Sequence, residues 1–192
     1  MTDMFSEKYW NGKWSEVISK LPNGGKYFFN HRQHGYNIIK SAVARNSSVF
    51  DYACGLAIID AQLRKEKACR VNGCDLSSIA VEYAKKETGG DFRKGSEIFG
   101  GPYDYILAIY FLEHITNPAS WCAKALKHGK RIIAALPNNF KRAGEHTKMA
   151  WTSWKSFYEI FSEFKIERID EGKYPTTGLH DAFKHPILEI RN

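Results

Sequence analysis

The sequence predicts a doubly wound α/β domain, with a mainly parallel sheet and helices on both faces. Short apolar or β-branched runs alternate with helical patterns at roughly 11-to-15-residue intervals, the spacing of βαβ units. The runs Tyr105–Phe111 and Lys130–Leu136 are apolar nearly throughout, as strands covered on both faces are. A small-residue loop closes the first run and an acid closes the second, at the carboxyl edge of such a sheet.

Residues 1–46 read as an amino-terminal cap, polar and rich in aromatics, and residues 47–192 as the α/β domain. Within the cap, Leu21-Pro22-Asn23-Gly24-Gly25 predicts a turn, because proline and paired glycines punctuate chains. A helix is expected over Arg32–Arg45, where Tyr36, Ile39, Ala42 and Val43 share a face. Ser47–Tyr52 is the first strand, followed by a helix over Leu56–Lys65. Cys69–Cys74 is the second strand, closed by Asp75. Ser77 or Ser78 caps the next helix, which runs to Thr88 and stops at Gly89-Gly90. Asp91-Phe92 marks a short third strand, and Tyr105–Phe111 the fourth. A helix over Pro118–Lys127 precedes the fifth strand, Lys130–Leu136. Thr152 or Ser153 caps a helix through Phe161, and strands at Lys165–Asp170 and Ile187–Ile190 bring the sheet to seven. The polar stretch Glu171–Pro186 is long for a loop and is expected to border a site.

The chain of 192 residues is 43% hydrophobic and 26% charged, which fits a single globular domain and excludes general disorder. Its start is acidic and aromatic, without the apolar core of a signal peptide, and no run approaches a membrane span. Cys54, Cys69, Cys74 and Cys122 form no CxxC pair, which predicts reduced thiols and a cytoplasmic protein without a metal centre. His31 and His34 do not complete a ligand set with His114 or His146. A net charge of +7 keeps nucleic acid possible as a partner, but no binding motif accompanies it; a small or anionic acceptor is the first expectation. Oligomeric state is not legible.

The chemistry concentrates at Asp51-Tyr52-Ala53-Cys54-Gly55-Leu56-Ala57. Gly55 permits close backbone approach, and the following helix amides give the loop donor character. Asp75 lies 20 residues beyond Gly55, the spacing of an acid that accepts hydrogen bonds from ribose hydroxyls. A dinucleotide would call for GxGxxG around its pyrophosphate, and ACGLAI lacks it. S-adenosylmethionine carries ribose and adenine but no phosphate, so it is the preferred cofactor. Asp51 can orient its amine end or shape the loop. Cys54 reads as a packing residue, with no base beside it.

VFDYACGLA, VNGCDLSSIAVEYAKK, GGDF and YDYILAIYFLEHITNPASWCAKALKHGKRIIAALPN together resemble the class I, UbiE/UbiG-like S-adenosylmethionine-dependent methyltransferases. The resemblance covers Ser47–Asn138 and extends more weakly to Ile190. It implies a Rossmann-like seven-stranded sheet with a reversed final strand. It also implies that Asp51, Ala53, Cys54 and Gly55 line the methionine end, that Asp75 holds the ribose and that Leu76 lies beside adenine. Asp91 and Phe92 would border the base, and Ile109, Tyr110 and His114 would stand by the cofactor and the acceptor mouth. The family favours glycine where this chain has Ala53 and Ala57.

His114 is the candidate catalytic base toward an O or N acceptor, since neutral histidine takes a proton near neutral pH. His146 and Trp151 are candidates for the acceptor wall. Leu136-Pro137-Asn138-Asn139 is not the NPPY-type loop linked to methylation of flipped bases. The competing readings are an NAD-linked oxidoreductase and a non-catalytic S-adenosylmethionine-binding or scaffold protein.

Overall fold

The computed structural model describes residues 6–137, 150–170 and 186–192, with the backbone alone over 22–34. Helix α1 spans Glu7–Ala42, followed by β1 (Ser48–Tyr52), α2 (Ile58–Lys67), β2 (Arg70–Asp75), α3 (Ser78–Thr88) and β3 (Asp91–Lys94). Then come β4 (Tyr105–Ile109), a 3₁₀ turn (Leu112–His114), α4 (Pro118–Ala125), β5 (Ile132–Ala135), α5 (Trp154–Ile160), β6 (Lys165–Arg168) and β7 (Ile187–Arg191).

The seven strands form one sheet in the order β3-β2-β1-β4-β5-β7-β6. β1 pairs in parallel with β2 and β4, and β7 runs antiparallel to both β5 and β6. The strand order reverses between β1 and β4, which opens a crevice at their carboxyl ends. Alternation along the strands divides the core by face. Val49, Leu107 and Ile133 pack on one face with α1, α2 and α3, around Ile39, Leu63 and Val81. Phe50, Ile106 and Ile132 pack on the other with α4 and α5, around Cys122, Phe157 and Phe161.

Local signals set the helix boundaries. The Ser77 hydroxyl accepts from Ala80 N at 3.1 Å, and Gly89 closes α3 with a left-handed backbone. Ser153 and Ser156 form a reciprocal capping box at α5.

The turn expected at Leu21–Gly25 does not divide the cap into two elements, because helical backbone continues through it. Helix propensity is a weak prior that tertiary anchoring overrides. Here Asn11 bonds Ser77 and Ser78 near one end, and Ile38, Ile39 and Val43 are buried at the other. A straight helix would hold Trp14 and Tyr36 roughly 33 Å apart. Both nevertheless line one cavity, and Leu21–Gly25 falls between them. The stretch Glu171–His185 lies outside the described residues.

Candidate functional site

A cavity of about 540 Å³, within the usual range for small ligands, opens at the strand-order reversal. Its floor is the loop after β1. Ala53, Gly55 and Ala57 have φ of 57°, 52° and 51°, so every second residue is left-handed. For alanine that backbone costs roughly 1–2 kcal/mol. Only Gly55 lacks room for a side chain: a Cβ there would stand 2.5 Å from Cζ2 of Trp14. Tyr110, at the end of β4, also has positive φ (55°) and lines the cavity. For a bulky residue this is an outlier, of the kind that clusters at functional sites.

Asp75 ties two loops together. One carboxylate oxygen accepts from Gly55 N at 2.9 Å and the other from Ser77 N at 2.8 Å. Burial pushes its pKa up, while these backbone donors pull the other way. The Leu76 N–H donates as well, so of a carboxylate's roughly four acceptor positions about one remains, and Asp75 lines the cavity.

Asp51 also lines the cavity but is only 3% exposed. Burial, then the neighbouring Asp60, holds its carboxyl well above the ordinary range. Asp60, fully buried in the first turn of α2, is raised by burial to about 6. Burial and surrounding acids also push the Cys54 thiol far up, so it is a packing residue and not a thiolate nucleophile.

The walls are aromatic. Tyr52, Phe111 and Trp121 pack at centroid distances of 4.6, 4.9 and 5.0 Å, and the Tyr52 hydroxyl donates to the Ser96 carbonyl at 2.7 Å. From α1, Tyr9, Trp10 and Trp14 add to the lining. Trp10 meets His114 edge-to-face at 5.7 Å. No lysine or arginine is among the described lining residues, so the basic charge of the chain is not focused there.

The structure therefore gathers Asp51, Ala53, Cys54, Gly55, Asp75, Leu76, Ile109, Tyr110 and His114 around one cavity. It does not bring Asp91 and Phe92 there. They begin β3, and a parallel strand starts at the edge of the sheet away from the crevice. Asp91 pairs with Arg93 at 2.6 Å, and Phe92 is buried under Gly73 and Gly90. Ser96, beyond the carboxyl end of β3, lines the cavity instead. Trp151 is 1% exposed and packed against Phe157 and Phe161, away from the cavity. His146 lies outside the described residues, as do the side chains of His31 and His34.

Sequence reasoning missed Trp10, Trp14, Ser96, Trp121 and Asp60. The i, i+4 spacing of Trp10 and Trp14 was a visible signal of one aromatic helix face. Nothing local distinguished Asp60.

No family model matches the chain. The chain is 25% identical over 121 residues to a ribosomal protein L11 methyltransferase of Methylobacillus flagellatus. The match spans 60% of this chain but only 40% of that relative's length. Among solved structures, magnesium protoporphyrin IX methyltransferase of Synechocystis PCC 6803 with bound SAH superimposes with a TM-score of 0.69 and 16% identity. That superposition covers 97% of each chain. The [4+2]-cyclase SpnF superimposes at 0.60 with 14% identity, over 84% of this chain and 81% of that one. The sheet order, the reversed β7 and these superpositions agree: the chain has the fold of the class I, S-adenosylmethionine-dependent methyltransferases.

Proposed function

We propose that the protein is an S-adenosylmethionine-dependent methyltransferase acting on an O or N atom of a small acceptor. The observation that carries this reading is the cavity floor, where three alternate left-handed residues meet the Asp75 carboxylate across a 2.9 Å bond to Gly55. Such a floor exposes backbone and one acid to a ligand, without the glycines that a pyrophosphate calls for.

The donor set fits the cofactor. Asp75 would hold the ribose through the acceptor capacity left beyond its backbone bonds, Leu76 and Ser96 would border the base, and Asp51 would meet the methionine end. Bound there, S-adenosylmethionine would supply an activated methyl group on sulfonium. The chain's own part is to exclude water, orient the acceptor and take its proton. Trp10 and Trp14 close the cavity on one side. The position of His114 at the cavity wall against Trp10 supports its reading as the group that takes a proton from an acceptor hydroxyl or ammonium.

Closure by α1 favours a small acceptor over a nucleic acid strand. The described walls offer no cation to select an anion, so the aromatic lining favours a neutral ring-bearing molecule over the anionic acceptor that the net charge suggested. UbiE/UbiG-like membership rests on the sequence resemblance.

A second reading has a specific observation behind it. The [4+2]-cyclase SpnF shares this fold, so the fold does not by itself entail methyl transfer. Incubation with methyl-labelled S-adenosylmethionine and a panel of phenols, amines and carboxylates separates the two. Label transfer to any acceptor supports the first reading; tight cofactor binding with no transfer across the panel supports the second.

A further inference from the structure

We propose that Asp60 is the proton partner of Asp51, and that the pair meets an ammonium group arriving in the cavity by passing a proton from Asp51 to Asp60. The proposal rests on the reading above, because the methionine end of S-adenosylmethionine carries that ammonium.

Asp51 stands at the end of β1 on the cavity wall. Asp60 stands behind it on α2, fully buried and not lining the cavity. The two carboxyls face each other. Among the described residues no other residue donates a hydrogen bond to Oδ1 of Asp51 or to either oxygen of Asp60, toward which only Asp60's own backbone N–H is turned. Buried polar oxygens without partners are rare and call for an explanation. Two bare carboxylates cannot sit together away from water, whereas one proton between them makes a strong O–H···O⁻ bond.

The titratable groups that face the pair itself supply no positive charge. Asp75 and Cys74 face the pair from β2, and Cys54 faces it from the loop. Tyr9 and Tyr36 of α1, Tyr52 of β1, Tyr110 after β4 and His114 line the same cavity. His114 is its one basic side chain among the described lining residues, which 5′-methylthioadenosine controls for. The amino-terminal turn of α2 favours negative charge on Asp60, so the proton rests on Asp51 when the cavity is empty.

When an ammonium approaches, the O–H bond of Asp51 breaks and an O–H bond forms on Asp60. A carboxylate then faces the cation, and the proton count of the protein is unchanged. Asp60 is thus a positioning residue that never touches the ligand. Burial raises both acids, Asp60 to about 6, so in more acidic solution the pair holds two protons and Asp60 cannot accept another.

The test is calorimetry on the full chain between pH 5 and 8, in buffers of different ionisation enthalpy. The probes are S-adenosylhomocysteine and 5′-methylthioadenosine, which lacks the ammonium. In the wild type, S-adenosylhomocysteine is expected to bind at pH 7 without net proton exchange. Below about pH 6 its affinity falls about tenfold per pH unit, with release of one proton. The affinity of 5′-methylthioadenosine stays flat. Asp60→Leu leaves Asp51 without an acceptor, so S-adenosylhomocysteine binds about tenfold or more weakly at pH 7 and releases a proton to solvent. Wild-type affinity that stays flat from pH 5 to 8, or an Asp60→Leu protein that binds at pH 7 without releasing a proton, overturns the proposal. If Asp60→Leu does not fold, the wild-type profile decides.

Binding of neither probe would instead remove the cofactor reading. Infrared spectroscopy then tests the shared proton directly. The proposal expects a protonated-carboxyl band at pH 7 that Asp51→Asn/Asp60→Asn removes, and absence of that band contradicts it.

Discussion

The indole of Trp14 lies against Gly55 so closely that a β-carbon on residue 55 would meet Cζ2 at 2.5 Å. This explains why the loop keeps glycine at one of its three left-handed positions and alanine at the other two. At Ala53 and Ala57 the backbone accepts a methyl group at a cost in strain. At Gly55 a methyl group would also displace the helix that closes the cavity.

Gly55→Ala is therefore expected to cost more than backbone strain alone, about 2–3 kcal/mol in total against the roughly 1–2 kcal/mol of a left-handed alanine. In a Trp14→Ala background the same change should cost only about the strain. Urea denaturation of the four proteins of this cycle measures the coupling. Equal costs in both backgrounds would show that Trp14 does not set the requirement for glycine.

Asp75→Ala removes the acceptor for Gly55 N and Ser77 N. It should destabilise the protein by roughly 2 kcal/mol, since two backbone donors lose a charged partner. Affinity for S-adenosylmethionine should fall at least tenfold as well. Thermal denaturation with and without cofactor separates the effects. A lower melting temperature with unchanged affinity would make Asp75 a loop tie and nothing more.

His114→Asn tests the assignment of the base. The expected loss in kcat is roughly a hundred- to ten-thousand-fold with an acceptor that must lose a proton. Cofactor affinity should change by less than about threefold, because only the acceptor's proton is at stake. Unchanged kcat would leave His114 as a packing partner of Trp10.

Stability should respond to pH through the buried acids. Asp51 and Asp60 are both raised, so the native state holds protons that the unfolded chain releases. Their contribution is fully present below the unfolded carboxyl pKa near 4, and the Asp60 part is lost as pH rises through about 6. Asp104 works in the opposite sense. It accepts from Lys130 Nζ at 2.7 Å and from Ser48, and is lowered to about 2, so its contribution is lost as pH falls from about 4 toward that value. The stability difference between wild type and Asp51→Asn/Asp60→Asn should therefore shrink or reverse between about pH 4 and 6. Denaturation of both across that range checks it, and parallel curves would contradict it.

Much of the fold was legible because its signals are local. Ser77 as a cap, Gly89 as a stop and the unbroken apolar runs of β4 and β5 each fix an element from its own residues. Asp51, Gly55 and Asp75 were legible as a unit because the βαβ spacing places them at one edge of the sheet. The remainder depends on partners far away in sequence. Trp14 over Gly55 and Asp60 behind Asp51 follow from helix placement, which periodicity does not specify. The resemblance implies Asp91-Phe92 beside the base, whereas these residues begin β3, at the end of a parallel strand away from the crevice. An aromatic stripe looks the same in sequence whether it faces a cavity or a core, and Trp151 packs in the core.

Every role proposed for these residues depends on S-adenosylmethionine binding in the cavity over Gly55 and Asp75. Titration calorimetry of the folded full chain with S-adenosylmethionine and, separately, NAD tests it most directly. One S-adenosylmethionine per chain is expected, weakened at least tenfold by Asp75→Ala, with no measurable heat from NAD. No S-adenosylmethionine binding by folded protein, or tight NAD binding in its place, would contradict it.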